Sequence, residues 1–247
     1  MTNLLLHQGS SHVDRNDLPA VIPPAATRSW QPIPHNHLLT SVENQLDRFG
    51  YQVAGQSHGL SRNGNRYFGL LEIENGDQAA DYRCVIGLRN SHDKTFPAGI
   101  CVGSCVLVCD NLMFAGEITL ARKHTRFIRR DLPQLVSDCI GQFKNLFATQ
   151  ESRAEAYKQK RVSDRRVHDL LVQAIDNEVI PVTSLPNVLQ EWREPSHSEF
   201  CENGKSLWRL QNAFTECWKG SNLQTLPRRS MRLHQLLDQV SGYSAVA

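Results

Sequence analysis

Leu38, Leu39, Val42, Leu46 and Phe49 recur at spacings of three and four and are followed by Gly50, which predicts an amphipathic helix stopped by a glycine cap. The period then shortens. Strand-like runs are expected at 51–54, 66–73, 82–89, 100–109 and 114–121, where β-branched and aromatic residues dominate. Two of the intervening turns, Arg62-Asn63-Gly64-Asn65 and Glu74-Asn75-Gly76-Asp77, carry Asn-Gly, a strong hairpin signal. The pattern therefore predicts an antiparallel sheet of four or five strands.

From residue 131 the helical period returns. Leu132, Leu135, Val136, Ile140, Phe143 and Phe147 form one apolar face, and Val167, Leu170, Leu171, Ala174 and Ile175 form another within a helix expected over 152–176. Shorter helices are expected at 185–192, 207–218 and 231–240. Strands followed by helices, rather than alternating with them, indicate an α+β fold: an antiparallel sheet packed by a long helix, then a helical C-terminal half. Residues 1–36 hold prolines at 19, 23, 24, 32 and 34 and read as an N-terminal arm without regular helix or central strand. Trp30 is expected to pin this arm to the body. The remaining layout is one α+β domain over 37–240, sheet-rich at 51–121 and helical at 131–240, with a tail at 241–247.

Composition changes the picture only at a few points. Apolar residues are 40% and charged residues 21% of 247, the ordinary balance of a soluble globular protein, and no apolar run is long enough to span a bilayer. The first residues lack the basic segment and apolar stretch of a signal peptide. Seven cysteines, none in a CxxC pair, read as reduced thiols in a cytoplasmic protein. The net charge of +2 conceals a division: residues 1–121 carry −3 and residues 122–247 carry +5. The excess is concentrated in Arg122, Lys123, Arg126, Arg129 and Arg130, interleaved with Phe127 and Ile128, and again around Lys158, Lys160 and Arg161. Such clusters attract polyanions, or else form a solvated helix face.

The candidate chemistry lies where strands end. Asn90-Ser91-His92-Asp93 follows the third long run and Asp110-Asn111 the fourth, with His124 in the basic segment. As catalytic groups the candidates are His92, Asp93, Asn111 and His124. As ligands of a divalent metal they are His92, Asp93, Asp110 and His124, two imidazoles and two carboxylates suited to a hydrolytic centre. No HxH or HExxH spacing supports that set, and a hydrogen-bonded structural turn is the competing reading. Cys109 beside His92 or His124 is a possible nucleophile pair, but its alternation with Cys101 and Cys105 favours a buried thiol. On the helix at 207–218, Trp208, Asn212 and Glu216 share one side.

The order Asn90-Ser91-His92-Asp93, Cys109-x-Asn111, His124-Thr125, long helix, then Trp208, Asn212, Ala213, Thr215 and Glu216 resembles the phage- and plasmid-type family called domain of unknown function 932, over roughly residues 38–240. The resemblance implies carriage by phages, plasmids or integrated elements and implies no reaction. Three classes of function stand open. The first is a nucleic-acid-binding protein, with single-stranded DNA binding or annealing favoured and self-assembly expected, by analogy with the element order of single-strand-annealing recombinases. The second is a metal-dependent phosphoesterase or nucleotide-processing enzyme at His92, Asp93 and His124. The third is a host-defence antagonist acting by protein binding.

Overall fold

The computed structural model describes residues 10–74, 82–106, 111–202, 204–219 and 225–244. Six strands form one antiparallel meander in the order β1-β2-β3-β4-β5-β6: β1 Ser10–Val13, β2 Val53–Ser61, β3 Arg66–Ile73, β4 Tyr82–Ser91, β5 Ala98–Val106 and β6 Asn111–Arg122. The helices are α1 His35–Arg48, α2 Ile128–Gly141, α3 Phe143–Gln159, α4 Asp164–Asp176, α5 Leu185–Arg193, α6 Glu199–Glu202, α7 Leu207–Cys217 and α8 Leu226–Ser241. The α+β class follows directly from this order. Contacts group the chain into two compact units, residues 1–103 with 117–144, and residues 104–116 with 145–247.

The strand count exceeds the expected four or five because the N-terminal arm supplies β1, whose Ser10–Val13 pairs with His58–Ser61. The arm is also less loose than its prolines suggest. A 3-10 turn over Arg15–Ala20 buries Leu18 completely, and Arg15 ion-pairs with Glu43 of α1. Between β2 and β3 the Asn-Gly prediction holds. Arg62, Asn63 and Gly64 are all left-handed (φ 53°, 55° and 80°), and the turn returns the chain so that Ser61 faces Arg66. The second Asn-Gly turn lies outside the described residues.

In the first unit, α1 packs against β4 and α2. Its apolar stripe, Leu38, Leu39, Val42 and Leu46, is buried together with Ile128, Leu132, Val136 and Ile140 of α2. β3 is buried along nearly its whole length. Tyr67 lies along it over Gly69 and bonds the ring of His58, whose Nδ1 is 3.0 Å from the hydroxyl.

The second unit is helical apart from the residues it takes from β5 and β6. Two long helices expected from the periodicity are broken. The apolar face 132–147 divides between α2 and α3, with Gln142 as the corner, and the helix expected over 152–176 stops at Gln159 and restarts at Asp164. At that break Arg161 forms a β-bridge with Ser206, Val162 N–H donates to the Lys205 carbonyl, and Leu207 N–H donates to the Lys160 carbonyl. Ser163 then caps α4 through its hydroxyl. Trp192, Val167, Leu170, Leu207, Leu210 and Phe214 fill the core, and Arg209 donates to the Trp192 and Arg193 carbonyls at the end of α5.

A methyl group at Gly69 would stand 2.3 Å from the Tyr67 hydroxyl, and Tyr67 is fully buried. Gly69→Ala is expected to lower stability by about 1–3 kcal/mol through overpacking, read as a reduced urea midpoint with an unchanged slope.

Candidate functional site

The polar residues at the end of β4 do not open to solvent. They close on the arm. Pro32-Ile33-Pro34 keeps this segment extended, since proline fixes its own φ and disfavours helix in the residue before it. The Ile33 carbonyl accepts from Asn90 Nδ2 at 3.0 Å and from His92 Nε2 at 2.9 Å. Asn90 Nδ2 also donates to His35 Nδ1 at 2.9 Å, so that ring carries its proton on Nε2, which donates to the Gly64 carbonyl at 2.8 Å. His35 and His92 lie face to face, with ring centroids 3.9 Å apart and planes 8° from parallel. His124 is buried nearby, with Trp30 stacked on it at 6.3 Å and 16°, and neither of its ring nitrogens has a hydrogen-bond partner. The arm is tied here a second time. Trp30 forms a β-bridge with Thr125, and Gln31 N–H donates to the His124 carbonyl.

This packing decides the protonation state. Burial pushes the His35 imidazole down to about 3, with His92 adding to the effect, and pushes His124 down to about 4, again with a contribution from His92. His92 is lowered by burial, against its bond to Ile33 and the nearby Asp93. His58 in the same unit falls to about 4 for the same first reason. All four rings are neutral at pH 7.

Asp93 does not join this cluster. Its carboxylate accepts from Arg66 at 2.6 Å and from the Thr95 hydroxyl and N–H. Burial raises its pKa, but the Thr95 and Arg66 bonds outweigh that and hold it below the usual range. Of the four catalytic candidates, then, His92 and His124 come together and Asp93 turns outward. Asn111 opens β6, but its side chain lies outside the described residues, as do Asp110 and Cys109. No group of three or more His, Cys, Asp or Glu able to hold a metal ion occurs among the described residues. Parallel stacking of His35 and His92 also prevents those two rings from aiming their nitrogens at one point between them.

The basic segment is different in character. Asp131, immediately after it, accepts from Arg122 at 2.5 Å and from Arg130 at 2.9 Å. Lys123, Arg126 and Arg129 are exposed and make no ion pair among the described residues. Phe127 is 41% exposed, and the guanidinium carbons of Arg126 and Arg130 each lie 4.5 Å from its ring centre. In the second unit, Lys158 lies over the Trp208 ring at 5.6 Å, while Lys160 and Arg161 are exposed at the α3–α4 break. Trp208 and Asn212 are buried in α7, where Asn212 Nδ2 donates to the Trp208 carbonyl, and Glu216 pairs with Lys219. Sequence reasoning missed His35 and the Ile33 carbonyl. The available signal was the Pro-Ile-Pro-His run before the first helix, a rigid approach that ends in an imidazole.

The neutral histidines predict acid sensitivity. Their folded pKa values lie below the unfolded value of about 6.5, so the unfolded chain binds more protons between pH 6.5 and 4, and stability falls as pH falls through that window. Each fully depressed ring contributes a loss of up to about 2 kcal/mol between pH 6.5 and 5. The urea midpoint is expected to drop steadily over this interval, and less steeply in His124→Gln.

No helix among the described residues is long and apolar enough to cross a membrane. Neither a curated protein nor a solved structure matches the chain. The model of the family described as Domain of unknown function (DUF932) matches residues 25–237, a span that begins before Trp30 and takes in Pro32-Ile33-Pro34, the histidine cluster, the basic segment and all of α7. With that span matched, the chain belongs to the DUF932 family.

Proposed function

We propose that this chain is a nucleic-acid-binding protein of mobile-element type and that the segment from Lys123 to Arg130 is its contact surface. The observation that carries the reading is Phe127, an exposed ring with the Arg126 and Arg130 guanidinium groups against it, and with Lys123 and Arg129 exposed beside it. Cations that follow a phosphate backbone and an aromatic face offered to bases are the two parts of a single-strand site. Tyr67 and Phe68 of β3, by contrast, are buried. Phage and plasmid carriage, implied by the family resemblance, suits single-stranded DNA binding or annealing. Lys158, Lys160 and Arg161 form a basic cluster of the second unit, taken by itself.

The structural role of the histidines supports this over an enzymatic reading. His92 and His124 are buried, and His92 is engaged with backbone, so they position the neighbouring loop.

Fluorescence anisotropy with labelled single- and double-stranded oligonucleotides tests the reading. The Arg126→Ala, Arg129→Ala, Arg130→Ala triple variant is expected to bind at least about tenfold more weakly at low salt, with the slope of log K against log salt reduced by about 2–3. Wild-type binding that is absent at low salt, or unaffected by the triple change, overturns it.

A further inference from the structure

The geometry points to a second nucleotide seat, built by Trp30 of the N-terminal arm and Lys94 of the β4–β5 turn, that restricts the bound nucleic acid to single strands. This rests on the nucleic-acid reading and adds to it a site that uses none of the basic segment's cations. Trp30 is partly exposed, and the Lys94 ammonium lies over its ring at 4.7 Å. Buried His124 stacks on the same indole, and the backbone bridge to Thr125 fixes its base. The indole thus has a buried imidazole and an exposed, flexible lysine against it.

The turn that presents Lys94 is itself specified. Asp93 accepts from Thr95, and the Ser91 hydroxyl and Phe96 backbone bond each other. Lys94 stands at φ 64°, a left-handed conformation that glycine or asparagine adopts with less strain. What lysine adds there is an ammonium over an indole.

The two platforms are neighbours. Trp30 pairs with Thr125 across about 5 Å, and Phe127 is two residues further on, at most about 7 Å along the chain. Their Cα atoms therefore lie within about 12 Å, a span that a short stretch of strand covers. Each ring is covered by cations that a stacking base would displace toward its own phosphates. Paired bases offer no free face for this, and unpaired ones do. The chemistry is shared by single-stranded DNA and RNA.

Tryptophan fluorescence gives a direct test, because Trp192, Trp208 and Trp218 are buried and Trp30 is the partly exposed one of the four. Titration with oligothymidylate and, separately, oligouridylate, each long enough for a site of about 4–16 nucleotides, is run beside anisotropy on the same samples. The expected result is quenching that tracks binding, is absent in Trp30→Phe at oligonucleotide concentrations high enough for anisotropy to show it bound, and is weak with duplex of equal length. Lys94→Ala is expected to reduce the salt slope by about 1. The two oligonucleotides distinguish DNA from RNA as the ligand. Binding without a change in tryptophan fluorescence, quenching that persists in Trp30→Phe, or equal quenching by duplex overturns this seat and leaves the basic surface standing. Absence of any binding overturns both.

Discussion

The Ile33 carbonyl lies between two prolines, in a segment that belongs to no helix or strand, and it is buried. A backbone acceptor in that position must find donors inside the protein. It finds two, the carboxamide of Asn90 and the imidazole of His92, and the rest of the first unit's polar interior follows from that choice. Asn90, bonded to Ile33, also sets the tautomer of His35, which reaches the hairpin turn at Gly64. His92 brings its ring face to face with His35. The arm, the first helix, the β2–β3 turn and the end of β4 thereby meet at one group of atoms.

Because neutral imidazoles pack together here without a carboxylate between them, the cluster holds its charge state first through burial, with His92 reinforcing it at His35 and His124. The basic loop is built on the opposite principle. It keeps its cations in water, lets Asp131 take two of them, and leaves Phe127 partly exposed beside two guanidinium groups. His124 and Thr125 join the two regions, since their backbone is bonded to Gln31 and Trp30. A buried, neutral anchor behind an exposed, charged loop fixes the loop's position without neutralising it.

Local signals carried much of this. The bounds of β3 and the left-handed turn at Asn63-Gly64 are both written in residues adjacent along the chain, as is the helix ended by Gly50. β2 is longer than its apolar run because its second half, Gln-Ser-His-Gly-Leu-Ser, is polar. That half is a strand because β1 and β3 flank it and Tyr67 receives His58. The histidine site was half visible: His92 and His124 stood out as residue types. Their partner His35 lies about 55 residues from Asn90, and nothing in local periodicity links the two. Asp93 was misleading for the same reason, since its true partner, Arg66, comes from a neighbouring strand.

The break between α3 and α4 shows how such a long-range pairing constrains length. Periodicity alone runs the helix straight through, and the bonds from Val162 to Lys205 and from Leu207 to Lys160 stop it. They act as a register mark. Adding or deleting one residue between Gln159 and Ser163 would either break that ladder or rotate α4 by about 100°. Rotation would carry Val167, Leu170, Leu171 and Ala174 off the core. Two exposed turns of similar appearance can therefore differ sharply in the insertions they accept, and this one accepts none.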